Sequence, residues 1–333
     1  MSTDVLTPSA GGLFCAAGNF WIDPLRPVDR AIVTHAHADH ARSGSGEYHS
    51  SAAGLPALKA RVGDMQRHQA HEYGVPFELG DTRVTLFPAG HILGSAWVRI
   101  ESEQGVWGVS GDFKRAPDPT CAPFEAADCD VWLTECTFGL PVYQWPETAT
   151  VIQQIESWWQ RCIDQQRPAV LFCYALGKAQ RIMAELTVPK GHGIWIHGAM
   201  KPLIEAYREA GIELPEARLV SEAEKGQRYA GDLVLAPPSA AGSAWMRRFR
   251  GHSSGFVSGW MRIRGHRRRR GYDRGFILSD HADWPALIQT AADMGAQRVI
   301  TIHGNGDALA RYLKGRGLEA ASWDLRASLS AST

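Results

Sequence analysis

Residues 34–40 read Thr-His-Ala-His-Ala-Asp-His, so four metal-ligating side chains, His35, His37, Asp39 and His40, fall within six residues. A short apolar run, Ala31, Ile32 and Val33, leads into them. If that run is a strand ending at Thr34, His35 and His37 share a face and their imidazoles can clamp one ion. Asp39 and His40 lie just beyond and suit a second. Imidazole with carboxylate fits zinc or manganese, and two ions ~3.5–4 Å apart are a common device for in-line displacement at phosphorus. The bland alternative is a chance cluster of solvated histidines in a loop. Such a cluster has no reason to be matched by further ligands at other strand ends.

Further ligands are present, each after an apolar stretch expected to be a strand. Val84–Phe87 runs into Pro88-Ala89-Gly90-His91, and Gly105–Ser110 ends in Gly111-Asp112. A lone histidine after a strand is more often structural, and a Gly-Asp pair is ordinarily a turn. As second and third in a series at strand ends, His91 becomes a candidate ligand and Asp112 a bridging carboxylate. Val131–Thr134 ends in Glu135, a candidate to support the ligands from behind, and Asp23 closes the strand Asn19–Ile22. Asp23 reads equally well as a turn-forming acid before Pro24. Late in the chain, Gly275–Leu278 leads to Ser279-Asp280-His281, and Arg298–Ile302 to His303.

The intervening pattern supplies the frame. A helix is expected over residues 54–72. From about residue 148 strands and helices alternate with none of the earlier histidines at strand ends: helix Ala149–Gln166, strand Ala169–Tyr174, helix Ala179–Leu186, strand Ile194–Ile196, helix Ala199–Ala210, strands Arg218–Val220 and Leu233–Ala236. That alternation implies an inserted α/β domain with a parallel sheet. The expected organisation is a first core segment over 1–147, an insertion over 148–274 and a second core segment over 275–333.

The order His35/His37/Asp39/His40, His91, Asp112, Glu135, His281, His303 resembles the metallo-β-lactamase enzymes that carry a β-CASP insertion, nucleases of RNA processing, RNA decay and DNA repair. The resemblance spans nearly the whole chain. Phe172-Cys173-Tyr174-Ala175-Leu176-Gly177-Lys178-Ala179-Gln180 is similar to that insertion's strand-to-helix turn, and Ser279–Asp283 to its return segment. A Gly259-Trp260-Met261 strand, the Arg267–Arg270 run and residues 273–284 are most similar to the bacterial ligase-associated DNA exonucleases. The implied fold is α/β, a metallo-β-lactamase αββα sandwich interrupted by a β-CASP α/β domain.

The resemblance assigns His35, His37 and His91 to one metal and Asp39, His40 and His303 to the other, with Asp112 shared. Zinc is the first expectation for both ions and manganese the alternative. Asp23 would stand behind the ligands and orient a histidine. Asp39, Glu135 and His281 take the catalytic assignments. A hydroxide would attack phosphorus in line while His281, oriented by Glu135, protonates the leaving oxygen. The alternative for His281 is a core histidine whose ring nitrogens are satisfied. DNA-repair members of the group lack a histidine where His303 falls and RNA-processing members have one, so the ligands do not choose the nucleic acid.

Composition narrows the partners. With 44% hydrophobic and 21% charged residues the chain is globular, and no apolar run reaches membrane-spanning length. The first residues lack a basic and an apolar leader segment, which suggests the cytoplasm. Six cysteines without Cys-x-x-Cys spacing indicate neither a zinc ribbon nor a disulfide framework. Net charge is zero, but residues 247–274 hold ten arginines and one acid, Asp273. Arg267, Arg268, Arg269 and Arg270 can track a nucleic-acid backbone, or simply form a solvated basic loop. Gly177 and Lys178, at an expected helix start, can bind a substrate phosphate or be a plain turn.

The expected function is hydrolysis of DNA ends, a 5′-to-3′ exonuclease of DNA repair acting on single-stranded DNA or a 5′ end, in functional association with a DNA ligase. An RNA-processing nuclease keeps the same chemistry. A small-molecule hydrolase needs neither the insertion nor the arginines, and a scaffold with a dead site needs no complete ligand set. The sequence does not indicate an oligomeric state.

Overall fold

Short strands with two-faced burial dominate the computed structural model, which describes residues 4–9, 11–263, 265 and 271–324. The chain opens with β1 (Leu6–Ser9), β2 (Gly12–Cys15), β3 (Phe20–Ile22), β4 (Arg30–Ile32), β5 (Glu47–Ser51), α1 (Leu55–Val62), β6 (His68–His71), β7 (Phe77–Leu79), β8 (Thr82–Pro88), β9 (Ala96–Ser102), β10 (Gly105–Val109) and β11 (Val131–Glu135). The middle holds α2 (Thr148–Asp164), β12 (Ala169–Phe172), α3 (Lys178–Glu185), β13 (Ile194–Ile196), α4 (Lys201–Glu209), β14 (Ala217–Leu219), β15 (Leu233–Ala236), β16 (Ser253–Val257) and β17 (Arg274–Phe276). It closes with α5 (Trp284–Asp293), β18 (Arg298–Ile302), α6 (Gly306–Gly315) and β19 (Glu319–Trp323). Two units result, one of Met1–Gln144 with His281–Thr333 and one of Trp145–Asp280.

The first unit contains a six-stranded sheet, β1-β2-β3-β4-β5-β6, and a seven-stranded sheet, β19-β18-β11-β10-β9-β8-β7. Alternate residues of a strand point to opposite faces, and here each face has its own core. Ala96, Val98 and Ile100 of β9, Leu133 of β11 and Ile300 and Ile302 of β18 pack with Leu6, Phe20, Ile22 and Ile32 of the other sheet. The residues between them, Trp97, Trp132 and Val299, pack against Trp284, Leu287 and Ala291 of α5 and Leu309 and Leu313 of α6. The sheets therefore face each other, with helices over the outer side of the larger one. Each fully buried large side chain contributes roughly 1.5–3 kcal/mol, so the two-faced pattern sets the strand register.

This arrangement gathers strand ends. β10, β11 and β18 run parallel, β9 is antiparallel to β10, and β8 is antiparallel to β9. The C-terminal ends of β8, β10, β11 and β18 thus lie along one edge of the sheet.

The second unit is a parallel six-stranded sheet, β14-β13-β15-β12-β16-β17. Ala169 and Leu171 of β12 face a core with Ile155 and Trp159 of α2, Ile182 of α3 and Ile204 of α4. Val170 and Phe172 face the opposite core, with Tyr229, Phe249 and Met261 from irregular segments. Near-continuous apolar strands are what a sheet buried on both faces requires.

Several expectations from sequence change. The helix expected over 54–72 stops at Val62, where Gly63 takes φ +78°, and His68–His71 pair in parallel with β5 as β6. Gly259-Trp260-Met261 is no strand: a 3-10 turn spans Gly259–Arg262 after β16, capped by the Ser258 hydroxyl on the Trp260 N–H. The expected boundary between 274 and 275 also moves, because β17 pairs with β16 and belongs to the second unit's sheet. Arg267, Arg268, Arg269 and Arg270 lie outside the described residues. All six cysteines are unpaired, and among the described residues no helix is long and apolar enough to cross a membrane.

Candidate metal centre

The first ligands follow β4. The chain beyond Ile32 stays extended, with the Val33 N–H on the His49 carbonyl and the Ala96 N–H on the Thr34 carbonyl, so residue 34 is tied to both sheets. Gly111, at φ +53°, passes so close that an added Cβ would lie 2.6 Å from Thr34 Oγ1. Glycine at 111 therefore lets Asp112 approach the histidine segment. His91 is held by the Ser95 hydroxyl, which accepts the N–H groups of His91 and Ile92 at 3.0 and 3.2 Å.

His35, His37, His91 and Asp112 converge on one point. His37 Nδ1 is 3.1 Å from both His35 Nε2 and His91 Nε2, and Asp112 Oδ2 is 3.4 and 3.7 Å from His35 Nε2 and His91 Nε2. A tetrahedral ion with bonds of ~2.0–2.1 Å needs ligand atoms roughly 3.3–3.4 Å apart. Four of the six donor separations, 3.1–3.7 Å, thus lie near those that a divalent ion of zinc size needs. Three of the four residues are buried.

Asp112 Oδ2 also lies 3.5 Å from His40 Nε2, so one carboxylate reaches both histidine sets. Asp23, at φ +44°, uses both of its oxygens to set this up. The Thr34 N–H and hydroxyl donate to it at 2.8 and 2.6 Å, and His40 Nδ1 lies 2.7 Å from Oδ2. With Nδ1 turned to Asp23, Nε2 of His40 is the nitrogen it could offer to an ion. Asp39 and His303 are placed more loosely. Asp39 Oδ2 is 3.9 Å from His40 Nε2 and its side chain is 79% exposed, while the exposed His303 sits with its ring centroid 6.3 Å from that of His40.

Glu135 is buried at the end of β11 and accepts from the Phe113 N–H at 3.1 Å and the Thr137 hydroxyl at 2.6 Å. His281 Nδ1 lies 2.9 and 3.0 Å from its two oxygens and 3.9 Å from Asp112 Oδ2. Glu135 thus fixes the Nδ1 edge of His281.

The electrostatics at His35, His91 and Asp112 suit metal binding. Burial, with the charge of His40 added, holds the His35 imidazole below its ordinary range. Burial and the neighbouring His281 keep His91 well below it. Both are therefore neutral, as a ligand must be. Burial favours protonated Asp112, but His40 and His281 outweigh it and keep the carboxylate ionised. Burial likewise opposes charge on His40, yet Asp112 and Asp23 push it up to about 10. A strong negative field acts on that imidazole before any ion binds.

Gly177 and Lys178 point elsewhere. The Gly177 N–H donates to Gln180 Oε1 at 2.8 Å, and Lys178 is 2% exposed with Nζ 2.8 Å from Asp280 Oδ1. Arg181 reaches the same oxygen at 3.3 Å. The turn spends these groups on its own buried ion cluster, which corrects the expectation that they meet a phosphate. Sequence reasoning also passed over Thr34, Ser95 and Thr137, the hydroxyls that brace Asp23, His91 and Glu135. Their only signal is a hydroxyl residue within four positions of a ligand or its support.

No family model matches the chain. It is 33% identical over 311 residues to a protein of Opitutus terrae named as a probable DNA ligase, covering 93% of this chain and 30% of that protein. Over 125 residues it is 25% identical to a protein of Saccharolobus solfataricus named RNase aCSPSF2, covering 37% of this chain and 25% of that one. The chain thus spans less than a third of each curated relative. A crystal structure of a protein of unknown function from Enterococcus faecalis shares the fold, with a TM-score of 0.60 at 11% identity over 88% of this chain and 78% of that one. The chain is a mixed α/β protein with buried His/Asp groups that could hold metal, similar in sequence to proteins named for DNA ligation and for RNA cleavage.

Proposed function

We propose that this protein is a metal-dependent phosphodiesterase that degrades DNA from a 5′ end, built as a metallo-β-lactamase core with a β-CASP insertion. The carrying observation is Asp112 Oδ2 set within 3.4–3.7 Å of His35, His40 and His91, beside the His281–Glu135 pair. Two divalent ions, zinc first and manganese second, would supply Lewis-acid activation of water and of the phosphate there. His35, His37, His91 and Asp112 would hold one, and Asp39, His40, His303 and Asp112 the other. Asp23 keeps the His40 ring turned the right way, and Glu135 orients His281, which protonates the departing oxygen.

The similarity to part of a protein named as a probable DNA ligase supports DNA as substrate and a functional link to strand joining. The second relative, named as an RNase, supports the runner-up, the same chemistry on RNA. A DNA substrate and unpaired cysteines suit the reducing cytoplasm. A small-ester hydrolase has no use for a second unit with its own six-stranded sheet.

The test compares metal-loaded protein on linear single-stranded DNA, the same DNA closed into a circle, and RNA of the same sequence. Nucleotides leaving the 5′ end of linear DNA are expected. Efficient cutting of the circle would overturn the exonuclease reading, and faster RNA turnover would overturn the choice of DNA.

A further inference from the structure

Helix α1, with the 3-10 turn Ala52–Gly54 that leads into it, touches two of the histidine segments of the metal centre. At its start the Ser51 hydroxyl donates to the Gly94 carbonyl at 2.5 Å, and a Cβ added at Gly94, in the turn that carries His91, would collide with the Gly54 backbone. Near its end, Arg61 Nε donates to the Ala36 carbonyl at 3.0 Å. Ala36 is buried and stands between His35 and His37 in the chain. The guanidinium is therefore anchored one residue away from two of the four candidate ligands of the cage.

Folding alone does not account for this placement. Arg61 is exposed, and among the described residues its Nη1 and Nη2 have neither a hydrogen bond nor an acid within ion-pair reach. Residues 52–63 contain Lys59 and Arg61 but no aspartate or glutamate. A neutral donor would satisfy the Ala36 carbonyl equally well, whereas a fixed cation so near the cage would repel a divalent ion. The helix dipole favours any cation in the last turn. Only arginine can spend Nε on a carbonyl and still present a planar pair of N–H groups. A cation that opposes the ion by itself becomes favourable once an anion joins them.

We propose that Arg61 is a phosphate-binding residue beside the metal centre: with Nε spent on Ala36, it presents Nη1 and Nη2 to a backbone phosphate neighbouring the one that is cut. That edge of the guanidinium matches two phosphate oxygens, and a side chain already anchored loses less freedom on binding. Such a contact carries no base preference and fixes the register of the strand against the centre. The assignment rests on the phosphodiesterase reading for the identity of the ligand, but its test needs no cleavage.

The experiment is fluorescence anisotropy in EDTA with a labelled eight-nucleotide oligothymidine. Arg61→Gln is expected to raise Kd about 10- to 150-fold. It should also flatten the dependence of log Kd on log salt by about 0.7, while Arg61→Lys, which keeps the charge, keeps the slope. In a series of oligomers with one phosphate at a time replaced by an uncharged methylphosphonate, one position should weaken wild-type binding most. That same replacement should cost Arg61→Gln less than about two-fold, because its partner is already gone. Zinc affinity measured by calorimetry should not fall in Arg61→Gln, whose side-chain amide is still a donor, and circular dichroism checks the fold of each variant. Wild-type protein that fails to bind, an Arg61→Gln Kd within about two-fold of it, or the same methylphosphonate profile in both proteins would overturn the proposal. Lost zinc affinity with unchanged DNA binding would likewise overturn it and make Arg61 a brace of the His35–His37 segment. Failure of the phosphodiesterase reading looks different: the binding profile holds in EDTA and no cleavage follows when metal is restored.

Discussion

Replacing His281 by alanine removes a ring that the geometry places outside the four-donor cage. Its Nδ1 is 3.9 Å from Asp112 Oδ2 and is engaged by Glu135 at 2.9 Å, whereas the cage atoms approach Asp112 at 3.4–3.7 Å. Metal content is therefore expected to stay at the wild-type level, and the whole defect to fall on turnover. A general acid contributes typically ~10²–10⁴-fold, or about 3–5 kcal/mol of barrier. On a nitrophenyl phosphodiester, whose leaving group departs without a proton, the same variant should lose far less. Glu135→Gln should show a smaller defect of the same leaving-group dependence, since it keeps an acceptor near His281 but removes its charge. The assay pairs turnover on the two substrates with elemental analysis of each dialysed variant. Asp112, Glu135 and His281 themselves form a group that could hold an ion, so the outcome is open to refutation. Loss of metal from His281→Ala, or equal defects on both substrates, would make His281 a ligand and end the proton-donor argument.

Asp112→Ala is expected to abolish activity and strip both ions, while Asp39→Ala empties mainly one site; elemental analysis that finds both ions retained in Asp112→Ala would refute the shared carboxylate. Lys178→Ala takes a buried cation from the buried Asp280, which Arg181 also reaches, and breaking such a pair costs about 3 kcal/mol or more. Its urea midpoint should fall while the ratio of rates on 5′-phosphorylated and 5′-hydroxyl strands stays unchanged; a change in that ratio would return Lys178 to the substrate. His49 is fully buried, and burial holds its pKa at about 4. Between about pH 6.5 and 4 the unfolded chain then binds a proton the folded chain refuses, so stability falls as acid is added, by about 3 kcal/mol at most. Thermal melts from pH 7 to 4.5 should show this fall and its flattening in His49→Gln; identical pH profiles would remove His49 as the cause.

The candidate ligands were the most legible part of the chain because chemistry compresses them. Four donors in residues 35–40 have few other uses, and His91, Asp112, Glu135 and His303 each follow or end an apolar strand whose period is plain. What braces them was not legible. Thr34, Ser95 and Thr137 are common residue types, and their hydroxyls gain meaning only when the chain brings Asp23, the His91 turn and Glu135 within 2.6–3.2 Å. Tertiary pairing also overrode local pattern. His68–His71 sits in what reads as the tail of a helix, yet it gains a parallel ladder against Tyr48–Ser51. Gly259–Met261 shows the reverse, since apolar residues after β16 suggest strand while the Ser258 hydroxyl caps a tight turn. Lys178 shows the limit of motif reasoning: a Gly-Lys at a helix start suggests an anion, and only the fold reveals that Asp280 is the anion.

The two halves of the centre differ in how much is formed in advance. His35, His37, His91 and Asp112 already stand at ion-binding separations in a buried setting, so the first ion needs no side chain to be ordered. On the two-ion proposal the second would have to recruit Asp39, which is 79% exposed, and His303, exposed on a residue at φ +63° whose ring lies 6.3 Å from that of His40. Ordering such side chains costs ~0.5–1.5 kcal/mol each, which alone weakens the second site roughly 5- to 150-fold. A first ion would also claim part of the Asp112 charge and would repel a second one. Zinc titrated into metal-free protein by calorimetry should therefore bind in two resolved steps. Asp39→Ala should delete the weaker step and leave the tighter one unchanged. A single step of two equivalent ions, or loss of the tighter step in Asp39→Ala, would show that the exposed pair is as well formed as the buried cage.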